Sequence, residues 1–215
     1  MSLSADLWRE NRDLARKALE HPFVAGLGSG QLSLVSFRHY VAQDAFFLES
    51  FARAYALALS RSPDRAGLGE FAALISGVLE ELDLHDAYAR RWGVSLAGVE
   101  PSDATLAYTD FLLRTAALED VGLTCAAMTP CMRLYAYLGR ELAEREGGGP
   151  APDNPYAEWI ETYSDPEFEG LARTLEGLLD RYAPAREPGG RAVNATYRRA
   201  MTLEVAFFEA AYRQG

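Results

Sequence analysis

The chain has 215 residues, of which 49% are apolar, enough to build a substantial core in one large domain or two small ones. Its formal net charge is −10 and its pI is about 4.8, and no run of Lys and Arg is long enough to track a phosphate backbone, which argues against general nucleic-acid binding. No purely apolar stretch reaches about 18 residues, and the start, "MSLSADLWRENRDLARK", lacks the apolar run of a signal peptide, so a soluble, cytoplasmic protein with no membrane partner is expected.

Helical periodicity runs from one end to the other. Ser4 is placed to cap a first helix whose apolar stripe is Leu7, Trp8, Leu14 and Ala18. "HPFVAGLGSG" reads as a turn or one short helical segment closed by glycines. Ser33 or Ser36 then opens a long helix that "SRSPDR" ends, and a second long helix spans about Pro63 to Trp92, with Gly93 as its stop. "VSLAGVEPSD" is a loop, after which helices are expected at about 103–117 and 121–146. "GGGPAPDNP" is the clearest loop, followed by a short helix, "YAEWIETY". Asp165 caps the next helix with Pro166 in its first position, "PAREPGG" is a further loop, and a last helix runs from about Arg191 to Arg213. No strand-like alternation, repeat or linker competes with this pattern. The expectation is an all-α, single-domain helical bundle over residues 1–215.

Within that pattern some polar residues sit where a core should be. Asp44, in "YVAQDAFFLESF", has Tyr40, Val41, Phe47 and Leu48 at helical spacing, so its carboxylate points inward. It is either paired with an arginine, set against a gap in the backbone hydrogen bonding, or part of a site. Glu204, in "AMTLEVAFFEAAY", is flanked by Met201, Phe207 and Phe208. Wedged among aromatics it would hold its proton and suit a general acid, whereas on a rotated helix it would simply reach the surface.

The two cysteines, Cys125 and Cys131, form no CxxC motif and lie ~120° apart around a helix, so each is a free thiol. Cys125, in "LTCAAM", fits an inert buried residue. Cys131, in "TPCMRLY", follows Pro130 and precedes Tyr135 by one turn. A proline inside a helix costs ~3 kcal/mol, which is tolerable where it starts or distorts the helix to present the neighbouring thiol. Tyr108 and Tyr163 add phenols near helix ends, and a buried hydroxyl needs a partner.

Glu81 and His85 stand at i and i+4 in "EELDLH", a spacing that can serve a metal. A carboxylate-bridged di-iron bundle needs further Glu-x-x-His pairs, and the other histidines, His21 and His39, are in none, so no metal site is expected. The pair is read instead as bonded to each other or to backbone. There is no GxGxxG, P-loop, GxSxG or HExxH motif, and no nucleotide cofactor is expected.

The order of these segments resembles the TenA/thiaminase II family, all-α proteins of the haem-oxygenase-like fold. The resemblance covers nearly the whole chain: "HPFVAGLGSGQLSLVSFRHYVAQDAFFL", "EELDLH", "AYTDFLL", "TPCMRLY", "NPYAEWIETYSDPEF" and "EVAFFEAAY". It implies an aminopyrimidine aminohydrolase of the cysteine-containing subgroup. That activity converts 4-amino-5-aminomethyl-2-methylpyrimidine, and more weakly thiamine, to 4-amino-5-hydroxymethyl-2-methylpyrimidine in thiamine salvage.

By position it implies Cys131 as the nucleophile, adding as thiolate to ring carbon C6, and Glu204 as the acid at ring nitrogen N1. Asp44 would hold the 4-amino group; Tyr108, Tyr135 and Tyr163 would line the pocket and Phe207 would pack on the ring. No metal or organic cofactor is implied, and a homotetramer is the common assembly. Phe47 departs from the tyrosine that many members carry there, which retains stacking but removes a hydroxyl. Three other roles stay open at this point: a DNA-binding or regulatory protein, an oxidative enzyme of the same superfamily, and a non-catalytic pyrimidine-binding protein.

Overall fold

The computed structural model describes residues 2–145, 153–183 and 189–215. Among them the regular structure is entirely helical: α1 Leu3–Glu10, α2 Arg12–Leu19, α3 Pro22–Ser29, α4 Leu34–Ser60, α5 Arg65–Trp92, α6 Asp103–Leu118, α7 Val121–Arg145, α8 Ala157–Ser164, α9 Pro166–Tyr182 and α10 Gly189–Tyr212.

Most boundaries follow from capping chemistry. The Ser33 hydroxyl accepts from the Val35 amide at 3.2 Å and so starts α4, while Ser36 lies one turn inside and donates to the Tyr212 carbonyl. Asp64 accepts from the Gly67 amide at 2.8 Å and starts α5, slightly later than Pro63. Gly93 ends α5 in the left-handed region at φ +66, which a residue with a Cβ adopts only at a cost. Asp165 accepts from Glu167 N at 2.7 Å and Pro166 occupies the first position of α9, as expected.

Three expectations are corrected. Ser2, not Ser4, caps α1 by accepting from Ala5 N. Ser4 is drawn to Asp180 instead, giving its amide to Oδ1 at 2.7 Å and its hydroxyl to Oδ2 at 2.9 Å. The first amphipathic stretch is also two helices, broken at Asn11, whose amide side chain donates to the Leu7 carbonyl at 2.8 Å. Finally, α10 begins at Gly189, earlier than Arg191. Most of the "GGGPAPDNP" and "PAREPGG" loops, residues 146–152 and 184–188, lies outside the described residues.

Helix α7 is the axis of the bundle. It packs on α6, α8, α9 and α10, while α4 packs on α5 and α6 and closes the other side. It can be an axis because its sequence is apolar on nearly all sides, "VGLTCAAM" being followed by Met132, Leu134, Leu138 and Leu142 in the core. Its one buried cation, Arg133, is matched by Glu176 and Glu169 of α9, each at 2.7 Å.

Pro130 lies inside α7 rather than starting it. The neighbouring Thr129 hydroxyl donates to the Cys125 carbonyl at 2.7 Å in the same turn. Gly139 is needed for a different reason: a Cβ there would overlap the backbone of Tyr163 and Ser164, so α8 can lie directly on α7.

Candidate active site

Four helices converge on the middle of α7. Asp44 and Phe47 come from α4, Glu81 and His85 from α5, Cys131 and Tyr135 from α7 itself, Tyr163 from α8 and Glu204 from α10. Asp44, Phe47, Glu81, Cys131, Tyr135 and Tyr163 line a small, narrow cavity, completed by Leu48, Phe51, Met132 and Phe168.

The cysteine and the glutamate are in contact. Glu204 hydrogen-bonds the Cys131 thiol and accepts from the Tyr108 hydroxyl at 2.7 Å, and the residue is 1% exposed. Burial pushes its carboxyl up to about 8, helped by the Asp44 charge and opposed by the hydrogen bonds from Tyr108 and Cys131. Glu204 therefore keeps its proton at neutral pH, and the surface-reaching alternative is excluded.

The thiol departs from expectation. Burial, followed by the carboxyls of Glu204, Glu81 and Asp44, pushes Cys131 well above the ordinary thiol value. The resting group is a thiol hydrogen-bonded to Glu204, not a preformed thiolate. Cys125 is fully buried, and its thiol is pushed up to about 12 by burial, as suits an inert core residue.

Asp44 does point inward, but its partner is neither an arginine nor the backbone. It bonds His85 Nε2 at 2.8 Å, while His85 Nδ1 bonds the Glu81 carbonyl at 3.0 Å. A carbonyl can only accept, so Nδ1 carries a proton, and a second proton on Nε2 makes the ring an imidazolium facing a carboxylate. Burial disfavours that charge, but the Asp44 hydrogen bond and the charges of Asp44 and Glu81 outweigh it and raise His85 to about 9. Asp44 is thereby held rigidly, with its other oxygen, Oδ1, free of this bond.

The aromatic residues complete the walls. Phe47 lies 4.8 Å from Tyr108, 5.4 Å from Phe51 and 5.9 Å from Phe207, ring centre to ring centre. Phe207 and Tyr108 thus stand behind Phe47 rather than on the cavity surface. Tyr135 accepts from Tyr40 Oη at 3.4 Å and packs edge-on against Tyr163 at 4.8 Å. Tyr40 is in turn held by the Trp159 indole at 3.2 Å. The Tyr163 hydroxyl donates to Glu81 Oε1 at 2.5 Å.

All eight residues singled out from the sequence are thus brought to one locus, five on the cavity wall and Tyr108, Glu204 and Phe207 just behind it. Sequence reasoning assigned no role there to Glu81, Met132 or Phe168. The signal for Glu81 was its spacing from His85; Phe168 and Met132 looked like any core residue.

Residues 8–214 match the TENA/THI-4/PQQC family. The chain belongs to that family. It is 34% identical over 220 residues to an aminopyrimidine aminohydrolase of Halalkalibacterium halodurans, covering 100% of this chain and 97% of that protein. It is 33% identical over 229 residues to the mitochondrial bifunctional TH2 protein of Arabidopsis thaliana, where 97% of this chain spans only 37% of the relative's length.

Among solved structures, a TenA homologue from P. horikoshii superposes with a TM-score of 0.88 at 27% identity, over 100% of both chains. A haem oxygenase from the cyanobacterium Synechocystis aligns with a TM-score of 0.64 at 16% identity over 98% and 92% of the two chains, a likeness of fold alone. This TENA/THI-4/PQQC member therefore has the haem-oxygenase-like helical fold.

Proposed function

We propose that this protein is an aminopyrimidine aminohydrolase, a hydrolase that breaks the exocyclic C–N bond of 4-amino-5-aminomethyl-2-methylpyrimidine and, more slowly, of thiamine. The product is 4-amino-5-hydroxymethyl-2-methylpyrimidine, and the context is thiamine salvage. The observation that carries this reading is the Cys131–Glu204 hydrogen bond in a small aromatic cavity, with the Tyr108 hydroxyl on the same carboxyl.

The geometry supports a relay rather than attack by a free thiolate. Sulfur bonds to ring carbon C6, the C6–N1 π electrons move to N1, and N1 takes a proton from Glu204. The thiol proton refills Glu204. Net addition of S–H across C6–N1 never requires a charged sulfur beside three carboxyl groups, the state that the surroundings of Cys131 disfavour.

Asp44, held by His85, accepts from the ring's 4-amino group and stabilises the positive charge that builds there as the exocyclic bond breaks. Water then adds its hydroxyl to the methylene carbon, its other proton balancing the one the departing amine takes. As the C6–S bond breaks, Glu204 gives its proton to sulfur and takes the one on N1. Phe47, backed by Phe207 and Tyr108, provides the ring-stacking wall, and Tyr135 and Tyr163 close the opposite side.

The test is release of the hydroxymethyl product from each substrate by wild type and Cys131→Ser. We expect turnover of the aminomethyl substrate that falls by at least about a thousandfold in the variant, the scale of losing a covalent nucleophile. Binding of the pyrimidine by folded wild type without turnover would replace this reading with a pyrimidine-binding protein.

A further inference from the structure

Glu81 is the carboxyl that the relay above does not use. It lies on the cavity wall with Cys131, Asp44 and Tyr163, and it also lines a second, wider groove of about 370 Å³ on the other side. Met132 and Phe168 are the other residues that line both. Glu81 therefore stands at the neck between the enclosed cavity and an open groove. The groove has an apolar floor, including Val78, Leu84 and Leu171, and an acidic rim of Glu80, Glu161 and Glu167. Such a passage suits a small cationic or amine-bearing group.

A structural role does not account for Glu81. Among the described residues the cation near it is His85, which gives its Nε2 to Asp44 and hydrogen-bonds Glu81 through the backbone carbonyl. Among the described residues, the hydrogen bond to its side chain comes from the Tyr163 hydroxyl. Holding a carboxyl here without a cationic partner is costly, and a hydrophobic residue would pack the neck as well.

Resting on the aminohydrolase reading, we propose that Glu81 is a further catalytic residue, the acid that protonates the amine leaving group as it passes from the cavity to the groove. Once sulfur is on C6 and N1 carries its proton, electrons from the 4-amino group form the exocyclic C5=CH2 double bond. The C–N pair departs with nitrogen, and nitrogen takes the proton of Glu81, so that ammonia leaves and a carboxylate remains. Water then bonds to the methylene carbon through oxygen and gives one proton to that carboxylate. The sum is R–CH2–NH2 plus H2O to R–CH2–OH plus NH3, with Glu81 restored.

The surroundings suit the role. Burial and the Asp44 charge raise the Glu81 carboxyl to about 7, against the opposing effects of His85 and Tyr163, so both of its forms are available near neutrality. The titratable groups facing it are Asp44 of α4, His85 of α5, Cys131 and Tyr135 of α7 and Tyr163 of α8.

Thiamine offers the control, because its thiazolium departs as a neutral thiazole and needs no proton on leaving. The experiment measures kcat and KM for both substrates in wild type, Glu81→Gln and Glu81→Asp. Gln keeps the size and the acceptor for Tyr163 but cannot donate a carboxyl proton. The expected result is a fall of at least about a hundredfold in the ratio of kcat for the aminomethyl substrate to kcat for thiamine in Glu81→Gln, with KM changed little. Glu81→Asp, which retains the acid, should hold that ratio within about tenfold of wild type.

Equal slowing of both substrates, or an unchanged ratio, overturns the assignment and leaves the aminohydrolase reading intact. So does Glu81→Asp behaving like Glu81→Gln. A wild type that turns over neither substrate overturns the aminohydrolase reading itself, and Glu81 with it.

Discussion

The chemistry of the cavity depends on where protons sit, and three side chains hold theirs for the same reason. Glu204, Glu81 and the Cys131 thiol are gathered with Asp44 in a space where, among the described residues, the cation facing them, His85, is committed to Asp44. Burial disfavours a charge on each of them, and each additional negative charge is opposed by those already present, so all three hold their protons to higher pH than usual. Glu204→Gln should still accept from Tyr108 but cannot relay a proton, and we expect kcat/KM to fall by ~10²–10⁴. In wild type kcat/KM for thiamine, whose departure takes no proton from Glu81, should decline as pH rises through about 8, where free Glu204 loses its proton, and a pH–rate profile checks this. His85→Ala would leave the Asp44 carboxylate buried without its partner, a loss of ~3–5 kcal/mol that urea unfolding would register. Asp44 and Glu204 were legible in the sequence because a carboxyl amid apolar neighbours at helical spacing has nowhere else to point. His85 was not legible as the partner of Asp44, since that contact joins α4 to α5 and no local spacing records it.

At the scale of the element, α7 determines how closely its neighbours approach. Gly139 lets α8 rest on it, and that contact fixes Tyr163 over the cavity. Gly139→Ala should push the two helices apart, with a loss of ~1–3 kcal/mol in thermal or urea unfolding and a raised KM, because a displaced Tyr163 releases Glu81 and opens the wall. The order of the described helices was largely readable because caps are local chemistry: Ser33, Asp64, Gly93 and Asp165 act within four residues of themselves. Ser4 misled for the opposite reason. Its hydroxyl serves Asp180 on a distant helix, and Ser2 is left to cap α1. Pro130 is intermediate: it signals an irregularity near Cys131, but whether α7 starts there or continues through depends on the packing around it.

For the whole molecule these local effects set the pH at which the fold is most stable. Glu204 and Glu81 hold protons in the folded state up to about 8 and about 7, whereas in the unfolded chain each loses its proton near its ordinary 4.5. His85 likewise stays charged to about 9 rather than its ordinary 6.5. Between those limits the folded state binds more protons than the unfolded one, so stability falls as pH rises from about 4.5 toward 9. On the acid side the sign reverses. The Arg198 hydrogen bond lowers Asp13 and the Arg213 hydrogen bond lowers Glu209, and the small stability these exposed pairs add is lost as pH falls through their folded values. We therefore expect urea unfolding to give greatest stability on the acid side of neutrality. The net charge of −10 at pH 7 would also weaken the compact state as pH rises, so the two causes must be separated. Salt screens repulsion between surface charges but scarcely reaches a buried carboxyl. Glu204→Gln removes one buried proton while leaving the surface unchanged. A decline between pH 5 and 8 that survives added salt and becomes shallower in Glu204→Gln traces to the cavity. A decline abolished by salt and unaltered in the variant traces to the surface and refutes the assignment of those protons.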